Sequence, residues 1–256
     1  NYQLGLSDSS SPSSKITNNL ITPVPFITAK SQTFTDSLFI EFNSADPSST
    51  IYYALDKVIS SDNQMVYKNG FYIDEKSSIT AKSKAENCSE SFTTTANFVK
   101  ISGKKTIQIN SECSPQYTAG GNNSLIDNIR GGNDFRTGGW QGYQGNDFEG
   151  VVDLGEVQEL KSIGSGYIQD LRSWIILPTE IIYSISLDGI IYEEVARIKQ
   201  TYPSNSYEIK SADYTSEVNT SARYIKVNAK YFGKLPQWHL GAGGESYIFI
   251  DEIIIE

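Results

Sequence analysis

The chain has 256 residues, 20% of them charged and 12% aromatic. That composition excludes a disordered acidic tail and suits two domains of ordinary size. Its 21 basic and 30 acidic side chains give a net charge of −9, so nucleic acid and anionic membrane surfaces are poor partners. No apolar run reaches the roughly 18 residues of a spanning helix, and no membrane insertion is expected. Asn1-Tyr2-Gln3 has neither an initiator Met nor a signal pattern, and is read as a processed end.

In chain order, residues 1–19 are serine-rich (Ser7, Ser9, Ser10, Ser11, Ser13 and Ser14 around Pro12), the composition of a linker. From Leu20 to Lys100 the pattern is strand. Leu38, Ile40 and Phe42 alternate with Phe39 and Glu41, and Ile51, Tyr53 and Leu55 share a face. Ile79 and Ala81 lie opposite Lys82 and Lys84, and Phe92, Thr94, Ala96 and Phe98 keep the period of two. Pro23, Pro25, Asp46-Pro47 and Asn69-Gly70 supply the breaks. A small β-sandwich without a cluster of catalytic residue types is expected. Composition then shifts: 18 of the 20 glycines, all five arginines, the three tryptophans and the one histidine follow residue 100. A domain boundary is placed close to Lys100, separating domains at 20–100 and 101–256.

The Pro25-Phe26 to Phe34 stretch, Ile51-Tyr52-Tyr53-Ala54-Leu55-Asp56 and Ser78-Ile79-Thr80-Ala81-Lys82-Ser83 carry a resemblance. They are similar to the small immunoglobulin-like domain at the C-terminus of chitobiases and other β-hexosaminidases. The resemblance implies a spacer.

The second domain also reads as β. Its strand candidates are 106–110, 148–154, 162–169, 180–187, 190–198, 207–210, 223–231 and 247–255, with Asp188-Gly189 as a type I′ hairpin signal. Eight strands in this length predict a jelly-roll or related sandwich with long loops at one end. The stretch from Asn122 to Gly155 is the most informative. Glycines 131, 132, 138, 139, 142 and 145 allow positive φ, and a loop with Asp127 at its start can wrap a hard cation through carboxylate and carbonyl oxygens. Composition alone favours a glycine-rich loop with no metal.

The ordered set of this loop ending in Trp140, then Val151-Val152-Asp153-Leu154-Gly155, Ser186-Leu187-Asp188-Gly189, Ala222-Arg223-Tyr224-Ile225-Lys226-Val227 and Asp251-Glu252-Ile253, carries a second resemblance. It resembles the discoidin, or coagulation factor type C, sandwich, which includes the family 32 carbohydrate-binding modules. The stretches from Gly166 to Pro178 and from Trp238 to Gly244 resemble the C-terminal modules of family 20 glycoside hydrolases. The resemblance implies a structural Ca2+ held by the Asp127 and Glu252 carboxylates and by backbone oxygens near Leu125 and Arg130. Asn128 stands where the family usually has Gly, and Asn tolerates the left-handed turn.

The same resemblance implies a glycan site on the end loops. Trp174, Trp238 and Tyr143 are the stacking candidates, and Arg172, Asp170, His239 and Arg136 the polar ones. Trp140 is assigned to the core. Trp174 either begins a buried strand or meets a ligand, His239 either binds ligand or hydrogen-bonds within its loop, and Arg172 either binds ligand or pairs with Asp170. Cys88 and Cys113 either pair as a disulfide, which export permits, or stay free or buried thiols, the plainer reading. They form no zinc site.

Catalysis by this chain is not expected. There is no alternation of eight strands and eight helices, no nucleophile elbow, and a single histidine. Asp251-Glu252, one of two adjacent Asp-Glu pairs, falls in an alternating strand, which predicts carboxylates on opposite faces. Two readings follow. One is the non-catalytic accessory region of an exported β-hexosaminidase-like glycoside hydrolase, taking amino- or galacto-configured sugars beside its own catalytic domain. The other is a docking or scaffolding module without sugar binding.

Overall fold

A computed structural model describes residues 20–101 and 103–256; the serine-rich stretch at 1–19 lies outside the described residues. The chain divides into two compact units. One holds Asp36–Phe98 with the described residues before 33, and the other holds Thr33–Thr35 and Val99–Glu256. Among the described residues regular structure is strand, broken only by three short 3-10 turns. The protein is all-β.

The first eight strands are β1 (Phe26–Ala29), β2 (Thr33–Phe34), β3 (Leu38–Asn43), β4 (Thr50–Leu55), β5 (Met65–Val66), β6 (Phe71–Ile73), β7 (Ser77–Lys84) and β8 (Thr94–Lys100). Those of the first unit form sheets of order β1-β3-β6 and β8-β7-β4-β5, while β2 pairs in parallel with Val99 and Lys100 within the second unit. The strict alternation of β3 buries Leu38, Ile40 and Phe42. The Phe42 ring meets Tyr53 of the other sheet at 5.2 Å. Phe92, expected to continue the β8 pattern, instead lies in a loop before that strand and is exposed.

The second unit contains β9 (Thr106–Ile109), β10 (Gln141–Gln144), β11 (Phe148–Gln169), β12 (Glu180–Ser186), β13 (Glu193–Lys199), β14 (Lys210–Lys230) and β15 (Tyr247–Ile255). The separate strands expected at 148–154 and 162–169 are one strand, β11; the strand expected at 223–231 is the end of β14, whereas 207–209, expected as strand, form a loop and only Lys210 belongs to β14. Register shifts in β11 at Asp153/Gln158 and Leu160/Ser162 explain the apparent break. Before the shifts β11 pairs with β9 and the later half of β14, beside β12 and β13. After them it pairs with the earlier half of β14 and with β15, whose other edge carries β10. The two long strands thus serve both layers of a sandwich. One core lies between the layers, with Val152, Leu154, Tyr183, Ile225 and Val227 meeting Ile163, Tyr167, Ile248, Ile250 and Ile253. The β12–β13 hairpin has a six-residue loop rather than a type I′ turn. Gly189 is left-handed, and the Asp188 carboxylate accepts hydrogen bonds from the Ile190 and Ile191 amides at 2.8 and 3.0 Å.

Loops cover the outer face of the β10-β15-β11 layer. Phe135 and Trp140 pack there on Ile168, Ile175 and Phe249, so Trp140 is a core residue. Of the six loop glycines expected to take positive φ, 132, 138 and 145 do so. Gly131, Gly139 and Gly142 instead allow close approach, Gly131 beneath the Trp140 indole. Cys88 and Cys113 are free thiols. Burial pushes the Cys113 thiol up.

Candidate functional site

Two groups of side chains stand out in the second unit. The first lies at the 127–131 loop against β15. Asn128 takes the left-handed conformation, φ 62°, and its amide donates to Glu252 Oε2 at 3.0 Å. The Asp127 carboxylate accepts the Ile129 amide at 2.8 Å. Glu252 is 3% exposed, and burial together with the nearby Asp127 charge pushes its carboxyl up to about 8. Burial also raises Asp127. Leu125 is fully buried at the end of the preceding 3-10 turn.

The next residue along β15 does not obey the expected alternation. Gly166 is opposite Glu252 and Tyr167 is opposite Ile250, leaving Asp251 as the extra residue of a β-bulge. Inward positions switch from Ile248 and Ile250 to Ile253 accordingly. Asp251 and Glu252 therefore both turn to the 127–131 loop, correcting the expectation of opposite faces. Asp251 Oδ2 accepts from Arg130 Nε and from the Gly131 amide, each at 2.9 Å. Arg130 also pairs with Asp213, and these carboxylates hold its guanidinium more basic than usual. Arg130 Nη2 also donates to Asp251 Oδ1 at 3.2 Å, so both carboxylate oxygens are engaged.

Among the described residues no group of three or more His, Cys, Asp and Glu side chains could hold a metal ion. A cation at Asp127 and Glu252 would need backbone oxygens to complete its shell. The donor chemistry fits a hard ion: two carboxylates converge, and among the described residues no cationic side chain hydrogen-bonds to the buried one. Cavities flank the pair. One of about 810 Å³ borders Lys104, Lys105, Asn123, Asp127 and Glu156, and another of about 780 Å³ borders Arg130, Asp213, Glu217, Glu252 and Glu256. Neither touches Trp174 or Trp238.

The second group gathers six of the seven expected ligand-binding residues on loops. Asp170 and Ile175 exchange backbone hydrogen bonds around the 3-10 turn Leu171–Ser173, and Trp174 ends it with φ 67°. Leu171 and Ile176 pack on Leu235, seating the turn against the 233–245 loop. The Trp174 indole lies flush on Gly241 and Gly244, where an added Cβ would come within 2.5 and 2.9 Å of ring atoms. Trp174 remains 36% exposed and Trp238 50%. Trp174 is thus neither a buried strand residue nor freely mobile.

The polar members divide. Asp170 is buried; it accepts from the Ser173 hydroxyl at 3.0 Å and lies 3.9 Å from Arg136. Arg136 donates to Asp134 at 3.2 Å and Ser173 at 3.3 Å while lying over the Phe135 ring. Arg172 does not pair with Asp170: it donates to the Tyr207 carbonyl at 3.3 Å and lies over the Tyr207 ring. His239 is a structural residue. Its Nδ1 accepts the Gly241 amide at 2.9 Å, so Nε2 carries the proton and donates to the Leu171 carbonyl at 2.8 Å. Burial with both nitrogens occupied removes it from the ligand contacts.

Tyr143 is absent from this group. It is fully buried in the main core, its hydroxyl donating to Gln141 at 2.6 Å, so its ring has no face for a sugar. The structure adds residues that sequence reasoning missed: Tyr207, Ile209 and Leu240 are exposed, Leu240 completely. The Gly241-Ala-Gly-Gly run was a signal that a large ring lies close by, and it identified no partner.

No family model and no curated protein matches this chain. Among solved structures it is similar to a family 32 carbohydrate-binding module from a family 31 glycoside hydrolase of Clostridium perfringens. The identity is 15% over 60% of this chain and 90% of that chain, with a TM-score of 0.39. It is also similar to the family 32 module of the Clostridium perfringens protein NanJ, solved with galactose. There the identity is 18% over 60% of this chain and 93% of that chain, TM-score 0.35. The Clostridium perfringens module CpGH89CBM32-6 is 14% identical over 60% of this chain and 93% of that chain, TM-score 0.35.

Proposed function

We propose that this chain is a carbohydrate-binding accessory region of an exported glycoside hydrolase. The observation that carries the reading is the part-exposed indole of Trp174, fixed on Gly241 and Gly244 of the loop that bears the exposed Trp238, on a turn that also carries Arg172 and Ser173, the latter taking a hydrogen bond from Arg136. Aromatic faces pack on the apolar face of a sugar ring, and planar polar side chains take its hydroxyls. The resemblance noted from the sequence supports a β-hexosaminidase-like parent and an immunoglobulin-like spacer in the first unit. It also supports amino- or galacto-configured sugars as ligands. Weak binding of this kind would raise the local concentration of substrate for a tethered catalytic domain.

Structural calcium belongs to the same reading. Asp127 and Glu252, with backbone oxygens at Leu125 and Arg130, would hold it, and its charge would offset the repulsion between the two carboxylates. The decisive experiment is calorimetric titration of the full chain with sugars in calcium, repeated for Trp238→Ala and Trp174→Ala. Binding that either substitution abolishes is the expected result, whereas a folded protein that binds no sugar sinks the reading.

One observation favours a protein-docking module instead. The tip of the β12–β13 hairpin exposes Leu187, Ile190 and Ile191 to solvent. Loss of partner binding on Ile190→Asn, with sugar binding absent, would select it.

A further inference from the structure

We infer that the sugar taken at the Trp174 loops carries a carboxylate, and that Arg172 receives it; this rests on the glycan-binding reading and narrows its ligand class. The chain has five arginines. Four of them have carboxylate partners: Arg130 has Asp213 and Asp251, Arg136 has Asp134, Arg197 has Glu180 and Glu194, and Arg223 has Asp153. Arg172 has none among the described residues, in a protein whose acidic side chains outnumber the basic ones by 30 to 21.

Arg172 is exposed but positioned. Its guanidinium lies 5.4 Å from the centroid of the Tyr207 ring, and Nη1 donates to the Tyr207 carbonyl at 3.3 Å. The loop bearing Tyr207 is itself held by Gln169, whose amide donates to the Pro203 and Ser206 carbonyls at 3.1 Å each. The guanidinium is a fork of five donors, of which one makes a hydrogen bond here. Two residues along the chain stands the fixed indole of Trp174. A planar cation with open donors on the same turn as a fixed ring suits a sugar that presents an apolar face and a planar anion. Guanidinium and carboxylate meet through two parallel N–H···O bonds, which are stronger than bonds to neutral hydroxyls. Arg136 already has Asp134 and Asp170 beside it and is less suited to the role.

The test is calorimetric titration of the full chain with galacturonate, glucuronate and mannuronate, each beside its neutral parent galactose, glucose or mannose. N-acetylneuraminate and galactose 6-sulfate are further arms. At least one carboxylated sugar should bind tenfold or more tightly than the neutral sugars, and the uronate and neuraminate arms distinguish the two sources of the carboxylate. Arg172→Gln should remove that advantage, with a larger loss for the carboxylated sugar than for its neutral parent and the melting temperature unchanged. Arg172→Lys, which keeps charge without the fork, should retain part of it. Three results overturn the inference: carboxylated sugars that bind no tighter than neutral ones, a sulfate ester preferred to every carboxylate, or an equal loss for both sugar types in Arg172→Gln. Neutral-sugar binding that Trp238→Ala abolishes would then leave the glycan-binding reading standing. A folded chain that binds no sugar overturns both.

Discussion

The 127–131 loop and the 170–176 loop each meet β15 or its leading edge, yet they dispose of their polar groups in opposite ways. At the first, charge is paired and engaged: Arg130 bridges the buried Asp251 and the part-exposed Asp213, and the buried Glu252 takes a backbone amide. At the second, backbone and His239 hold the loops together, while the rings of Trp174 and Trp238 and the donors of Arg172 stay open. The difference separates charge that maintains the fold from chemistry left over for a ligand. Substitutions at the first loop should change stability, and substitutions at the second should change binding.

The largest effect is expected at Arg130. Arg130→Met leaves Asp251, buried against Gly131 and Gly166, without its cation. The Arg130 side chain is itself 43% exposed, so solvent screening brings the roughly 4 kcal/mol of a fully buried pair down to about 3 kcal/mol, readable by urea denaturation. An unchanged midpoint would show that Asp251 needs no cation and would break the distinction between the loops.

Next comes pH. Glu252 holds its proton up to about pH 8 in the folded state, against an ordinary value of 4.5. The folded protein therefore binds more protons than the unfolded chain between these values. This contribution is fully present below pH 4.5 and is lost as pH rises through 8. With a chelator present, stability should fall by about 3 kcal/mol between pH 5 and pH 8, and Glu252→Gln should flatten the profile. Calcium should raise the melting temperature most at pH 8. Equal melting curves with calcium and with chelator would remove the metal from the proposal.

Gly241→Ala sharpens the comparison from the other side. Its methyl group would come within 2.5 Å of the Trp174 indole, so the ring must leave its seat. Overpacking here should cost about 1–2 kcal/mol and weaken sugar binding as well. A stable variant with unaltered binding would mean that the seated ring is not the contact surface.

How much of this was legible in the sequence follows the range of the forces involved. The alternation of β3 was readable because a half-buried strand displays its period in neighbouring residues. The bulge at Asp251 was present as a parity change from Ile248 and Ile250 to Ile253, but only the register with Gly166 and Tyr167 shows that it turns two carboxylates one way. Tyr143 and Trp174 are both aromatic residues near glycines, yet one is fully buried and the other is exposed on a loop. No local pattern distinguishes them, because burial depends on β15 and the 233–245 loop, far along the chain from either residue. The lone status of Arg172 was equally hidden. Asp170 is near enough in sequence to pair with it, and only the path of the Tyr207 loop draws it away.

The smallest stability effect is the sharpest test of the contrast. Leu240 is completely exposed at the tip of the loop bearing Trp238, and Ile190 is nearly as exposed at the β12–β13 hairpin. Neither packs on the fold, so Leu240→Asn and Ile190→Asn should each leave stability within about 0.5 kcal/mol. Their effects on binding should differ. A leucine beside the sugar face contributes roughly 0.8 kcal/mol for each methylene that the ligand covers, so Leu240→Asn should weaken sugar binding several-fold. Ile190→Asn should leave it unchanged. Identical affinities for the two variants would mean that the exposed apolar surface around Trp238 is no more specialised than that of the hairpin, and the docking reading would gain what the glycan reading lost.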